Sequence, residues 1–133
     1  ITLGELAFFP GFYLMSLEES IQTYQELRET STWNQCWFPI FANGGGDFYA
    51  VNLAIEAQGE IIGYYIYEEE PQIEYNSLES MLQTFNECYK QGIIFQNEQG
   101  YLDMDYRKHA EIAHEINPNL KIWLEFLSET LEK

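Results

Sequence analysis

Short apolar runs alternate along this chain with longer stretches in which apolar residues return every three or four positions, so both strands and helices are expected. The first extended piece is Phe12 to Met15, placed after the Pro10-Gly11 breaker. Ser16 opens a helix. With Glu19 it matches a capping box, in which the hydroxyl accepts from the backbone amide three residues on and the carboxylate reaches back. Ile21, Tyr24 and Leu27 fall on one face of that helix, which is predicted to fade in the Thr30-Ser31-Thr32 cluster. Trp33 to Trp37 then lead into the apolar run FPIFA, residues 38–42.

That run and FYAVNL, residues 48–53, flank three consecutive glycines. A Walker-type phosphate loop needs Gly-Lys-Ser/Thr opening a helix, and a dinucleotide fingerprint also opens one; here a strand pattern follows. Asp47 adds a negative charge where a phosphate would sit. A calcium loop needs oxygen-bearing side chains at alternate positions, and only Asn43 and Asp47 are offered. The expected structure is an antiparallel hairpin over Phe38 to Leu53, reversed by Asn43, Gly44, Gly45, Gly46 and Asp47, with glycine supplying positive φ.

Further along, IIGYYIY (residues 61–67) follows a turn at Gln58-Gly59 and is nearly apolar on both faces, as a strand in mid-sheet would be. Glu68, Glu69 and Glu70 meet Pro71 in a solvated loop, and Ile73 to Tyr75 read as a short edge piece. Ser77 caps a second helix carrying Leu78, Met81, Leu82, Phe85 and Tyr89, stopped by Gly92 and followed by a short strand at Ile93 to Gln96. From Asp103 the pattern is helical to the end. Asp105 caps one helix with Ala110, Ala113 and Ile116; Asn117-Pro118 ends it and starts another, bearing Leu120, Trp123, Leu124, Leu127 and Leu131. Leu78, Leu82, Phe85, Trp123 and Leu127 are the expected helix-borne core. No repeat, low-complexity tract or linker divides the 133 residues, so a single domain over 1–133 is expected, and since Ile1 is not an initiator Met an incomplete N-terminal part is among the expectations.

Composition changes this picture mainly through charge. The 22 acidic residues against 6 basic ones give a formal net charge of −16, which opposes nucleic acid and anionic membrane surfaces and favours a basic protein partner. No run of about 18 apolar residues is present to span a bilayer, and no secretion signal is apparent, so the cytoplasm is the expected compartment. Cys36 and Cys88 have no second pair to suggest a disulfide framework or zinc site, and are expected as free, mostly buried thiols. His109 and His114, five apart, point to different helix faces and read as surface residues. Cys36 lacks a nearby histidine or oxyanion signature, and carboxylate pairs are uninformative among so many acids. No catalytic, cofactor or metal residues are assigned, and no enzymatic activity is expected.

The segments SLEESI…YQEL (16–27), WFPIFANGGGDFYAVNL (37–53), GEIIGYYIYEEE (59–70), YNSLESMLQTFNECYKQGIIF (75–95) and NPNLKIW (117–123) resemble the SUKH superfamily of Smi/Knr type. Trp37-Phe38-Pro39 leading to Gly44-Gly45-Gly46-Asp47 and Tyr49 is the most specific portion. The resemblance implies an α+β domain, a mixed and largely antiparallel sheet with helices packed around it, and no established enzymatic chemistry. It also implies protein binding. Bacterial members are viewed as immunity proteins that neutralise toxins of polymorphic toxin systems, and fungal members take part in regulating cell-wall glucan synthesis. The chain departs from the family at its start, where residues 1–11 are too short and too broken by Gly and Pro to supply the usual helix and turn before the first strand.

Together these readings lead to a non-enzymatic intracellular protein-binding module of immunity type, with a basic toxin domain as partner. The alternatives are a regulatory scaffold in cell-wall glucan synthesis and, from a different class, a carboxylate-dependent hydrolase. Glu68, Glu69 and Glu70 are the expected partner-binding charges, with Tyr65 and Tyr67 as aromatic anchors.

Overall fold

The computed structural model describes residues 7–68 and 70–131. Its strands β1 (Ala7–Phe9), β2 (Phe12–Leu14), β3 (Trp37–Ala42), β4 (Phe48–Asn52), β5 (Ile61–Tyr64) and β6 (Gln72–Tyr75) form one sheet in chain order, every pair antiparallel. Helix α1 (Leu17–Leu27) lies between β2 and β3 in sequence. After β6 come α2 (Leu78–Lys90), the ribbon β7 (Ile94–Gln96) with β8 (Leu102–Met104), then α3 (Tyr106–Ile116) and α4 (Lys121–Leu131). The fold is α+β, with an antiparallel sheet covered by helices.

One face of the sheet carries the main core. Phe9, Phe41, Tyr49, Ile61 and Tyr75 meet Met81, Phe85 and Cys88 of α2, Ala110 and Ala113 of α3, and Trp123 of α4. On α1's side, α1 packs on β3, and Trp33 lies edge-on against Trp37, Phe48 and Tyr64. Two bulges shape the sheet. On β3, Pro39 pairs with Ala50 and Phe41 with Tyr49, leaving Ile40 unpaired between them, which lets a proline sit inside a strand. On β6, Ile73 pairs with Ile62 and Tyr75 with Ile61, so Glu74 is the extra residue and both Glu74 and Tyr75 turn inward.

Local chemistry sets the boundaries. Ser16 Oγ accepts from the Glu19 amide and caps α1, while the Glu19 carboxylate, expected to reach back, accepts from Tyr13 Oη at 2.6 Å instead. Ser77 and Ser80 form the reciprocal capping box of α2. Gly92 ends it with φ 71°, where the Ile93 amide reaches Cys88 O and the Gly92 amide reaches Tyr89 O. The Asn43–Asp47 hairpin forms as expected. Gly44 and Gly46 take positive φ, at 82° and 104°, and Gly45 does not.

Several expectations are corrected. The Pro10-Gly11 breaker is the turn of a hairpin, with Gly11 at φ 83°, so residues 7–9 supply β1; residues 1–6 lie outside the described residues. Strand β5 ends at Tyr64, because the Ile66 amide is taken by Asp47 Oδ1 and the Glu68 amide by Tyr65 O. It lies next to the edge strand rather than at mid-sheet. Leu78 and Leu82 are 41% and 40% exposed, since Met81, Thr84, Phe85 and Cys88 face inward; Thr84 is accommodated there because its hydroxyl bonds Ser80 O on its own helix. Likewise Ser20, Thr23, Tyr24 and Leu27 form the inner side of α1, and Ile21 is exposed. Leu127 is half-buried, β8 occupies a segment read as helical from Asp103, and Pro118 sits in a turn before α4 rather than at its first position. Both thiols are free, but only Cys88 is buried. Cys36 is exposed in a turn, where its amide donates to Asn34 Oδ1.

Candidate recognition site

Two turns meet at one end of the sheet. Asn43 Oδ1 accepts the amides of Gly45 and Asp47, and Asn43 Nδ2 donates to Asp47 Oδ2 at 2.9 Å, which locks the glycine turn. The other carboxylate oxygen of Asp47 accepts from the Ile66 amide at 2.9 Å and so initiates the turn after β5. A Cβ at Gly46 would collide with the Ile66 side chain, so the glycine both takes positive φ and makes room for its neighbour. The glycines are thus the footing of the 65–68 turn.

That turn presents three of the residues expected to bind a partner. Tyr67 is 96% exposed and Ile66 54% exposed, while Glu68 and Glu70 face solvent beside them. Glu69 lies outside the described residues. Tyr65 points the other way, into the interior. Its Oη donates to Glu74 Oε2 at 2.6 Å and lies 2.7 Å from Tyr49 Oη, which also donates to Glu74 Oε1 at 3.2 Å.

Glu74 is the residue that sequence reasoning missed. It is 3% exposed, held there by the β6 bulge and by Trp123 Nε1, which donates to its carbonyl at 2.8 Å. Gly63 on β5 leaves the space that its carboxylate occupies. Burial, more than the Glu68 charge, raises its carboxyl to about 7, against the opposing pull of the hydrogen bonds from Tyr65 and Tyr49. Burial and then the Glu74 charge push both tyrosine hydroxyls well above their ordinary range. The triad has three oxygen contacts and two hydroxyl hydrogens, so a proton on Glu74 closes it when the carboxyl donates to one tyrosine, which then turns its own hydrogen to the other tyrosine.

Glu74, Tyr49 and Tyr65 wall a half-open cavity of about 330 Å³ between the sheet and α2, α3 and α4, and Glu68 lines it too. The remaining wall is largely aromatic, including Phe12, Phe85, Tyr106 and Trp123. His109 lines it as well, which corrects its reading as a surface residue. It is buried, stacked on Phe85, edge-on to Trp123 and 2.9 Å from Tyr75 Oη through Nε2. Burial lowers its pKa to about 4, so at neutral pH it is an uncharged imidazole. His114 is half-buried. No lysine or arginine lines the cavity among the described residues. Among the same residues, no three His, Cys, Asp or Glu side chains converge as metal ligands, and no helix is long and apolar enough to cross a membrane.

An antiparallel sheet with helices on it makes this an α+β domain, with an acidic loop of bare aromatic and aliphatic side chains beside a carboxylate-bearing aromatic pocket. The model of the SMI1 / KNR4 family (SUKH-1) matches residues 2–84, and the chain belongs to that family. The matched span runs through β6 into α2, so the α3 and α4 side of the pocket lies beyond it. No curated protein matches the chain.

Proposed function

We infer that this protein is a non-enzymatic intracellular binding module of the immunity type, which neutralises a basic toxin domain by covering it. The observation that carries this reading is the 65–70 segment. There Tyr67 and Ile66 stand in solvent beside Glu68 and Glu70, on a turn held by Asp47, in a family member with a formal net charge of −16. Exposed acids steer a basic partner toward the surface, and the apolar side chains beside them give the contact its lifetime. A nuclease must attract phosphate with basic residues at its binding surface, so an acidic blocker suits such a toxin.

The test is association rate against ionic strength for the wild type and for the triple variant Glu68→Gln, Glu69→Gln, Glu70→Gln, with a basic toxin domain as partner. The variant is expected to associate more slowly and with a flatter salt dependence at unchanged fold. Identical salt dependence removes this loop from the interface. A synthase or kinase as the specific partner would favour a cell-wall regulatory scaffold.

A further inference from the structure

We propose that the cavity walled by Tyr49, Tyr65 and Glu74 is a receptor for one cationic side chain, an arginine guanidinium presented by the partner protein. The inference deepens the protein-binding reading and rests on it. The 65–68 turn borders this cavity, since Glu68 and Tyr65 belong to both. A partner seated on Tyr67 and Ile66 therefore has a pocket within reach.

The chemistry of the walls selects the occupant. A carboxylate buried without a cationic neighbour is costly, and here the cavity offers Glu74 no lysine, arginine or charged histidine among the described residues. Its two oxygens accept one hydrogen bond each from Tyr65 and Tyr49, which leaves lone pairs for a second donor on each. A guanidinium offers paired donors in a plane and stacks on aromatic rings, whereas an ammonium is a compact, strongly hydrated charge. An anion would meet Glu74 inside and Glu68 at the wall, and a purely apolar group would leave the carboxylate unpaired. About 330 Å³ is at the small end for ligand cavities, roughly 300–1,000 Å³, and suits one side chain rather than a folded segment. In the free protein a proton on Glu74 closes the hydroxyl triad. The arriving cation displaces that proton to solvent and balances the charge left on the carboxylate.

The test uses the full chain, labelled with nitrogen-15 and carbon-13, titrated with n-butylguanidinium at constant ionic strength and separately with n-butylurea, its uncharged analogue of similar shape. The readouts are the indole N–H of Trp123, which is bonded to Glu74 O, and the ring signals of Tyr49 and Tyr65. Saturable shifts at these groups with butylguanidinium, and roughly tenfold or more weaker binding of butylurea, are expected. Glu74→Gln is expected to bring butylguanidinium down to the level of butylurea. Equal binding of the two probes, or no saturable shift with butylguanidinium, overturns the proposal, and this comparison on the wild type does not depend on the variant folding. Because it needs no partner protein, such a failure is separate from failure of the immunity reading, which stands on the salt dependence of partner association.

Discussion

The carboxylate of Glu74 on β6 lies across the face of Gly63 on β5, in the space where any other residue would carry its Cβ. Glycine at this strand position is therefore a packing requirement and not a turn signal, since its φ is not positive. Gly63→Ala is expected to destabilise the fold by about 1–3 kcal/mol, as overpacking of a filled interior does. Combining it with Glu74→Ala should recover part of that loss, because the two substitutions share one volume. Urea denaturation of the two single variants and the double variant measures the coupling; strict additivity would mean that the two groups do not compete for space.

Glu74 and His109 give opposite slopes to stability against pH. The Glu74 carboxyl titrates at about 7 in the folded chain and near 4.5 when unfolded, so between these values the folded chain holds the extra proton and stability falls as pH rises. His109 titrates at about 4 when folded and near 6.5 when unfolded, so there the unfolded chain holds the extra proton and stability rises with pH. The two contributions offset each other across much of the window from 4.5 to 6.5. The stability of the wild type relative to Glu74→Gln is expected to fall by up to about 3 kcal/mol between pH 4.5 and 7.5. Urea midpoints at a series of pH values decide it, and parallel profiles would contradict the assignment.

Within the glycine triplet, Gly45 and Gly46 should respond differently. Gly46→Ala places a Cβ at φ 104° against Ile66 and is expected to cost about 1–3 kcal/mol. Gly45→Ala, whose Cβ would meet only the Asn43 side chain at 3.5 Å, should change stability by less than about 0.5 kcal/mol. Thermal melts of the two variants provide the comparison, and equal losses would refute it.

Asp47→Ala removes the acceptor of the Ile66 amide and should loosen the 65–68 turn while the flanking strands persist. Hydrogen exchange at Ile66 is the measurement. Unchanged protection there, with a stable fold, would show that the turn does not depend on Asp47.

Much of the fold can be read from local chemistry. The hairpin at Asn43–Asp47, the caps at Ser16, Ser77 and Asp105 and the stop at Gly92 all rest on residues within a few positions of one another. The phase of a helix is harder to read when hydroxyl residues are buried. Thr84 satisfies its own hydroxyl and takes a core position that the apolar pattern assigns to its neighbours. The loop of Glu68 and Glu70 was legible because charge and Pro71 mark it. The pocket beside it was not, because Glu74 reaches the interior through a bulge, and a bulge is a relation between strands. His109 was misplaced for a similar reason: its apolar surroundings come from other elements, Phe85 of α2, Trp123 of α4 and Tyr75 of β6, each more than ten positions away in sequence.

The bond from Trp123 Nε1 to Glu74 O joins residues 49 positions apart, whereas each strand of the large sheet lies beside the next strand in the chain. Such neighbouring pairings close small loops and form quickly, and the contact with α4 closes a much larger one. The sheet and its acidic turn can therefore assemble while the chain is still being synthesised, but the half-open cavity cannot exist until α4 has docked. Steering of a partner and capture of its side chain would then mature at different moments in the life of the molecule, the second only once synthesis has passed Trp123.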